Sequence, residues 1–377
     1  MSAPAATPES IATRTASIEE GIARIAAAAE SFAETSRKNL GDTSKDWETK
    51  EAQNGLAVEI KKLLLAAQGP LGAMFDQVQV PVSLMRNATV AGPLAEVDEE
   101  TYAQTPYSAP YKSPEITAIV KHIMDETWPS IAFMNQYFKE NGWKHPVDPT
   151  NCPYTFAHRT NGKESWAYIA QFPERQENSN RAMIAQSFDS TWSVGLYPFA
   201  EKLAETPSGD DETPLVVDVG GGVGHTSRQI RELCAGIKGR VVLQDRAEVV
   251  KDAPHIDGIV AMEHDFFSPQ PIKGARIYYL RRILHDWSDP TSIQILRHLA
   301  AAMDPKSSRL VIAEQILPTK GVSAESALID MVLMTITGGE RTEKQWDVLL
   351  KQAGLKLERV WRAPGTAFGA IEATVAV

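Results

Sequence analysis

The residues best suited to chemistry lie in the second half of the chain, around one histidine. His285-Asp286-Trp287-Ser288-Asp289 places an imidazole beside a carboxylate, just past the apolar run 276–280. An imidazole with an ordinary pKa of about 6.5 accepts a hydroxyl proton at neutral pH, and an adjacent carboxylate orients and stabilises the imidazolium. The chain has eight histidines, and an isolated one is normally a surface or core residue; the strand-end position next to Asp286 sets this one apart. Glu314 closes Leu310-Val-Ile-Ala-Glu314, and Glu340 lies in Thr337-Gly-Gly-Glu-Arg-Thr342. Each also has a plainer reading, as a solvated charge or a helix-dipole partner.

A second group of residues precedes these. Leu215-Val-Val-Asp218-Val-Gly220-Gly-Gly222-Val-Gly224-His-Thr-Ser227 runs from an apolar segment through alternate glycines into Arg228-Gln-Ile-Arg-Glu-Leu233. That is a strand, a tight turn and a helix start. Glycine permits positive φ and close approach of a ligand, and a helix N-terminus offers unpaired N–H groups to an anion. The spacing is not G-x-G-x-x-G, because His225 stands at the third glycine when counting starts at Gly220. Counts from Gly221 and Gly222 fail at Val223 and Ser227, and no G-K-[ST] follows, so the dinucleotide and Walker A patterns are excluded. A bare βα turn remains the plain alternative. Asp245 ends the next apolar run and can accept both ribose hydroxyls of a nucleoside, or cap a helix. Asp265 in His264-Asp-Phe-Phe267 can accept from an adenine amino group while Phe266 stacks on the ring, or can be a capping Asp beside core aromatics.

These residues need a scaffold, and the chain is long enough for two or three domains: 377 residues, 43% hydrophobic and 23% charged. From 214 onward short apolar strands (215–219, 240–244, 258–262, 276–280, 308–313, 356–361 and 369–375) alternate with helices, the pattern of a doubly wound α/β sheet. Such sheets bind ligands at the C-terminal ends of their strands. Upstream the texture is helical. Residues 1–15 read as a disordered tail. Ser17 and Glu20 open a helix over 17–38, and a second spans 50–67. Leu94–Thr105 reads as a β-hairpin, which after helices suggests a winged helix, or simply a hairpin. A long helix over 114–140 should kink or split at Pro129, and one or two more lie in 164–206. The expected organisation is a tail (1–15), a shortened winged-helix-like dimerisation domain (16–112), a helical linker and pocket region (113–206) and a catalytic domain (207–377).

Net charge is −10 without a dense basic run, which argues against nucleic-acid and anionic-membrane partners. The two cysteines, Cys152 and Cys234, form neither a disulfide framework nor a C-x-x-C pair. The N-terminus lacks the basic and apolar regions of a secretory signal, no apolar run approaches a membrane span, and the expected location is cytoplasmic.

Taken in order, the glycine loop, Asp245, Asp265, His285-Asp-Trp-Ser-Asp289, Ala313-Glu-Gln-Ile-Leu-Pro318 and Gly338-Gly-Glu-Arg-Thr342 resemble the class I S-adenosylmethionine (SAM) dependent small-molecule O-methyltransferases. The resemblance is to the plant caffeate/flavonoid enzymes and the fungal polyketide O-methyltransferases, and it covers roughly 165–377. It implies a Rossmann-like sheet, parallel with one antiparallel edge strand, SAM as methyl donor with S-adenosylhomocysteine (SAH) as product, and a homodimer through the N-terminal helices. It implies His285 as general base, with Glu314, Glu340 and Asp286 around it. Asp218, Gly220, Gly222, Gly224, Asp245, Arg246, Asp265, Phe266 and Arg281 would form the SAM site; Arg281 stands where many relatives carry Lys. Met183, Trp287, Asp330, Met331 and Met334 would line the pocket for a hydroxyl-bearing acceptor, although Met also serves as ordinary core filling. No metal is needed when a side chain takes the proton, and no carboxylate cluster of the metal-dependent kind is evident. The N-terminal half departs from the family pattern: Phe75–Pro81 runs into Arg86–Gly92 with little room for the usual helices. Two other functions compete. Some fungal relatives keep SAM but catalyse dehydration or pericyclic steps, often with an altered His-Asp, which is intact here. A non-catalytic regulatory winged helix would need a basic face, and residues 76–112 carry only Arg86 and Lys112.

Overall fold

The computed structural model describes residues 8–41, 45, 47–53, 55–56, 59–60, 94–99, 101–104, 112–187, 193–205, 209–251, 253–362 and 366–376. The chain divides at Lys112/Ser113 into two compact units, and the helices after 113 cluster with the sheet rather than with the first unit.

In the first unit, helix α1 spans Pro8–Lys38 and so begins well before Ser17. Residues 9–16 contain no glycine or further proline, and proline at the first helical position loses no hydrogen bond. The expected helix over 50–67 is helical where it is described, at 50–53, 55–56 and 59–60. The hairpin forms from β1 (Leu94–Asp98) and β2 (Thr101–Gln104), antiparallel with an irregularity between Glu96 and Asp98. The stretches 75–81 and 86–92, on which the shortened winged helix was read, lie outside the described residues.

The second unit starts with α2 (Pro114–His122) and α3 (Trp128–Asn141), joined by one π turn at Ile123–Thr127. Pro129 sits in the first turn of α3 and has no N–H to give the preceding turn. The helix therefore widens rather than breaking, and Ser130 Oγ donates to the Glu126 carbonyl at 2.8 Å. Next come α4 (Pro153–His158), α5 (Ser165–Ile169), α6 (Pro173–Ser187) and α7 (Phe199–Ala204). The sheet region contains β3 (Pro214–Val219), α8 (His225–Leu233), β4 (Arg240–Asp245), α9 (Ala247–Val250), β5 (Ile259–Glu263) and β6 (Ile277–Arg281). It continues with α10 (Asp289–Ala300), β7 (Arg309–Leu317), α11 (Ala324–Met334), β8 (Arg341–Thr342), α12 (Glu343–Gln352), β9 (Leu355–Arg362) and β10 (Phe368–Val375).

The strand order is β5-β4-β3-β6-β7-β10-β9, with β8 paired to β7. β10 runs antiparallel to both β7 and β9. The antiparallel strand is thus second from the edge, and β9, the edge strand, again runs with the parallel set. Both faces are covered. Tyr278, Leu280, Leu310 and Ile312 pack on one side, and Ile277, Tyr279, Val311 and Ala313 on the other. This is why these strands read as continuous apolar runs rather than alternating ones. The chain passes from β3 to β4 and β5 on one side, then crosses to β6 on the other. The crevice at the C-terminal ends of β3 and β6 is therefore the topological switch point, where ligands bind in such sheets. Among the described residues no helix is long and apolar enough to cross a membrane.

Candidate active site

The glycine turn closes over the end of β3. Gly220, Gly222 and Gly224 have φ of +72°, +63° and +90°, so the alternate spacing matches three left-handed positions. Their surroundings differ. A Cβ on Gly220 would stand 2.6 Å from Ile283 Cδ1, whereas Gly222 faces open space. Gly220 packs the turn against the segment leading to His285, and Gly222 leaves its surface free. Asp218 is buried and accepts from Ser227 Oγ at 2.5 Å, which ties the strand end to α8. Burial pushes its carboxyl up to about 6, against the pull of the Ser227 hydroxyl and of Arg281.

Asp245 closes β4 with its carboxylate turned to the loop. Gly222 N–H donates to Oδ2 at 2.8 Å and Arg246 N–H to Oδ1 at 2.8 Å. The N-cap of α9 is Arg246, not Asp245, so the capping reading does not describe this residue. Arg246 itself pairs with Glu248 at 3.2 Å. Asp265 is exposed and accepts from Phe267 N–H at 3.0 Å, a local turn bond of the kind the plainer reading anticipates. Phe266 lies beside Gly220, 3.7 Å from where its Cβ would be. Arg281 ends β6 and reaches Ser193 Oγ at 3.4 Å.

His285 occupies a short helical turn after β6 and is 4% exposed. Its Nδ1 faces two carboxylates, Glu340 Oε1 at 3.2 Å and Glu314 Oε2 at 3.4 Å, while Asp286 Oδ1 lies 3.5 Å from Nε2. Ionised carboxylates only accept, and two stand at Nδ1 against the single, more distant Asp286 at Nε2, so in the neutral ring Nδ1 keeps the hydrogen and Nε2 the lone pair. Burial opposes the imidazolium, but Glu314, Asp286 and Glu340 outweigh it and push His285 up to about 9. Burial likewise raises Glu314 and Asp286, against the pull of His285.

Glu314 and Glu340 are buried, so the solvated-charge reading fails for both. Glu314 is not at a strand end either. β7 continues to Leu317, and Glu314 Oε1 accepts from Ile283 and Leu284 N–H, each at 3.0 Å. The same side chain thus holds both the loop and the ring. No carboxylate cluster was evident along the chain, yet the fold builds one: donor atoms of His285, Glu314 and Glu340 lie within 4.8 Å of one another. Glu340 Oε1 is the hydrogen-bond partner of Nδ1, and Glu314 Oε2 lies 3.4 Å from the same nitrogen.

Arg341 plays a part that sequence reading missed. It is buried and donates to the Leu284 carbonyl at 2.9 Å, the Trp287 carbonyl at 2.7 Å and Asp289 at 2.8 Å, and it stacks over Trp346. Its only sequence signal is adjacency to Glu340. The expected acceptor residues come from several segments, with Met183 on α6, Trp287 after the His285 turn, and Asp330, Met331 and Met334 on α11. Trp287 is almost wholly buried among Phe266, Phe267 and the core, leaving little surface for an acceptor. Asp330 Oδ1 accepts from Glu340 N–H at 2.7 Å, so it supports the turn carrying Glu340. Met183 on α6 is exposed, and Met331 and Met334 on α11 are partly buried.

The sheet order and the switch-point crevice define a class I methyltransferase fold. A family model for the O-methyltransferase domain matches residues 150–356. O-methyltransferase opaF of Aspergillus ustus is 45% identical over 293 residues, 77% of this chain and 70% of that protein. Among solved structures, OxaC in complex with SAH and oxaline superposes with a TM-score of 0.80 at 28% identity, covering 96% of this chain and all of that one. LepI in complex with SAM shares the fold (TM-score 0.71, 23% identity, 98% of this chain and 89% of that one). The chain belongs to the O-methyltransferase family and is a SAM-dependent O-methyltransferase.

Proposed function

We propose that this enzyme methylates a hydroxyl of an aromatic or polyketide-like small molecule in fungal secondary metabolism, with His285 as general base. The observation that carries this reading is the pair of buried carboxylates on Nδ1, which leaves Nε2 as the only ring atom able to take a proton. The surroundings also fit a cationic nucleoside. Gly222 faces open space at a left-handed turn, Asp245 offers a carboxylate beside it, and the three carboxylates around His285 outnumber its single positive charge. Gly222, Asp245, Asp265, Phe266 and Arg281 would hold SAM, which supplies an electrophilic methyl group when bound. His285 Nε2 receives the acceptor's hydroxyl proton, Glu340 and Glu314 stabilise the resulting imidazolium, and Arg341 with Glu314 keeps the segment in place. Base catalysis of this kind contributes about 10²–10⁴-fold. Because like charge disfavours the imidazolium, a bound sulfonium lowers the proton affinity of His285 and readies it to act as a base.

Met183, Met331, Met334 and Asp330 belong to the acceptor side of this reading, and dimerisation through the N-terminal helices accompanies it. The test is His285→Gln, expected to abolish most turnover while calorimetric SAM affinity stays near that of the wild type. Turnover equal to wild type excludes the base assignment. A converted acceptor without SAH formation supports the pericyclic or dehydrating alternative instead.

A further inference from the structure

Two loops bring their side chains together at His285 Nδ1, and each holds a residue on the left-handed side of the backbone map. Arg282, three residues before His285, has φ +55°, and Thr337, three before Glu340, has φ +80°. A β-branched residue at positive φ persists only where its surroundings impose it. Thr337 is fully buried. The turn around it is pinned at each successive N–H: Thr337 to Met334 O (3.3 Å), Gly338 to Leu333 O (2.9 Å), Gly339 to His285 O (2.8 Å) and Glu340 to Asp330 Oδ1 (2.7 Å). A Cβ on Gly338 would stand 2.0 Å from His285 O, so the turn lies directly on the histidine's backbone.

The carbonyl of Thr337 accepts from His145 Nε2 at 3.3 Å, across 192 residues of sequence. His145 is an exposed residue of the loop after α3, and its Cε1 lies 3.7 Å from where a Gly339 Cβ would be. Two residues on, the Val147 carbonyl accepts from Ser288 Oγ at 2.9 Å, and Ser288 lies three residues after His285. Residues 145–147 therefore tie to both loops, one hydrogen bond to each.

We infer that His145 is a positioning residue for methyl transfer: through the Thr337 carbonyl it holds the 335–340 turn where Glu340 meets His285 Nδ1. The role rests on the general-base reading of His285. The charged groups facing His285 are Asp286 on its own segment, Glu314 from β7 and Glu340 from the turn, with Arg282 acting on Asp286 and Glu314. His145 touches none of these charges. Its influence passes through the backbone.

The experiment follows the His285 imidazole by isotope-edited NMR in the full chain, titrated without substrates, together with kcat and SAM affinity. In His145→Ala the His285 midpoint falls by about one pH unit, a tenfold loss of proton affinity. Turnover at the alkaline plateau falls about tenfold with it, and SAM affinity stays within about twofold. His145→Gln, which keeps an N–H donor, restores both. Ser288→Ala, which cuts the other tie, moves the midpoint in the same direction. A His285 midpoint unmoved in His145→Ala overturns the inference, as does a shift that His145→Gln does not reverse. Failure of the base reading looks different: His285→Gln then retains turnover, whereas the NMR midpoint still reports whether His145 holds the turn.

Discussion

Replacing Glu340 by Gln keeps the shape and an acceptor oxygen at His285 Nδ1 but removes the charge. At the observed 3.2 Å, and an effective dielectric of about 20, two unit charges attract by about 5 kcal/mol. The net loss is smaller. Glu314 and Asp286 remain, and the variant no longer buries a carboxylate. The difference between a charge-assisted and a neutral hydrogen bond, about 1–2 kcal/mol, is the better guide. That moves His285 from about 9 to about 8. At pH 7 the neutral fraction of the free enzyme then rises from about 1% to about 10%, while the imidazolium formed by proton transfer is destabilised by the same amount. The two effects nearly cancel at neutral pH. At about pH 10, where the ring is already neutral, only the loss remains, up to about tenfold. The assay is kcat/KM for SAM against pH, which reports groups of the unliganded enzyme. The wild-type profile rises with pH and levels above about 9, and Glu340→Gln levels about one unit lower at a reduced plateau. A wild-type profile already flat from about pH 6 to pH 10, or a variant with an unshifted midpoint, refutes the reasoning.

Asp245→Asn should weaken SAM binding about 10–100-fold by calorimetry, the loss expected when a charged hydrogen-bond acceptor becomes neutral; unchanged affinity removes Asp245 from the site. Asp218→Asn should raise the thermal midpoint at about pH 8 and leave it unchanged at about pH 4. The folded-state pKa of Asp218 is raised to about 6, so the wild type loses stability as pH rises from about 4 through about 6, and the amide escapes that loss. A midpoint gain at both pH values contradicts this. On the general-base reading of His285, exhaustive chelation should leave turnover intact; activity lost to a chelator and restored by a divalent cation would make the cluster of His285, Glu314 and Glu340 a metal site.

Much of the second unit was legible in the linear chain because its signals are local. A strand buried on both faces needs a continuous apolar run, and 215–219, 240–244 and 276–280 each appear as one. Left-handed turn positions favour glycine, so Gly220, Gly222 and Gly224 mark the turn themselves. His285 with Asp286 stood out because both follow such a run directly.

What the sequence could not determine depends on partners distant in the chain. Glu314 reads as a strand end and instead lies inside one, because β10 pairs with β7 up to Gln315 and β8 pairs with Ile316 and Leu317. Whether Glu314 and Glu340 were solvated or buried was decided by two loops meeting at one imidazole nitrogen, across spacings no local pattern records. The resemblance implies Asp330 and Trp287 as acceptor contacts; their partners in the fold, the Glu340 N–H for the first and the Phe266 and Phe267 rings for the second, are not marked in the linear chain. Arg341 and His145 act on backbone carbonyls, which every residue has, so nothing in their neighbours' side chains announced them. Residue types along the chain set the kind of chemistry available. Only the packing of β6, β7 and the 335–340 turn set which nitrogen of His285 meets Glu314 and Glu340.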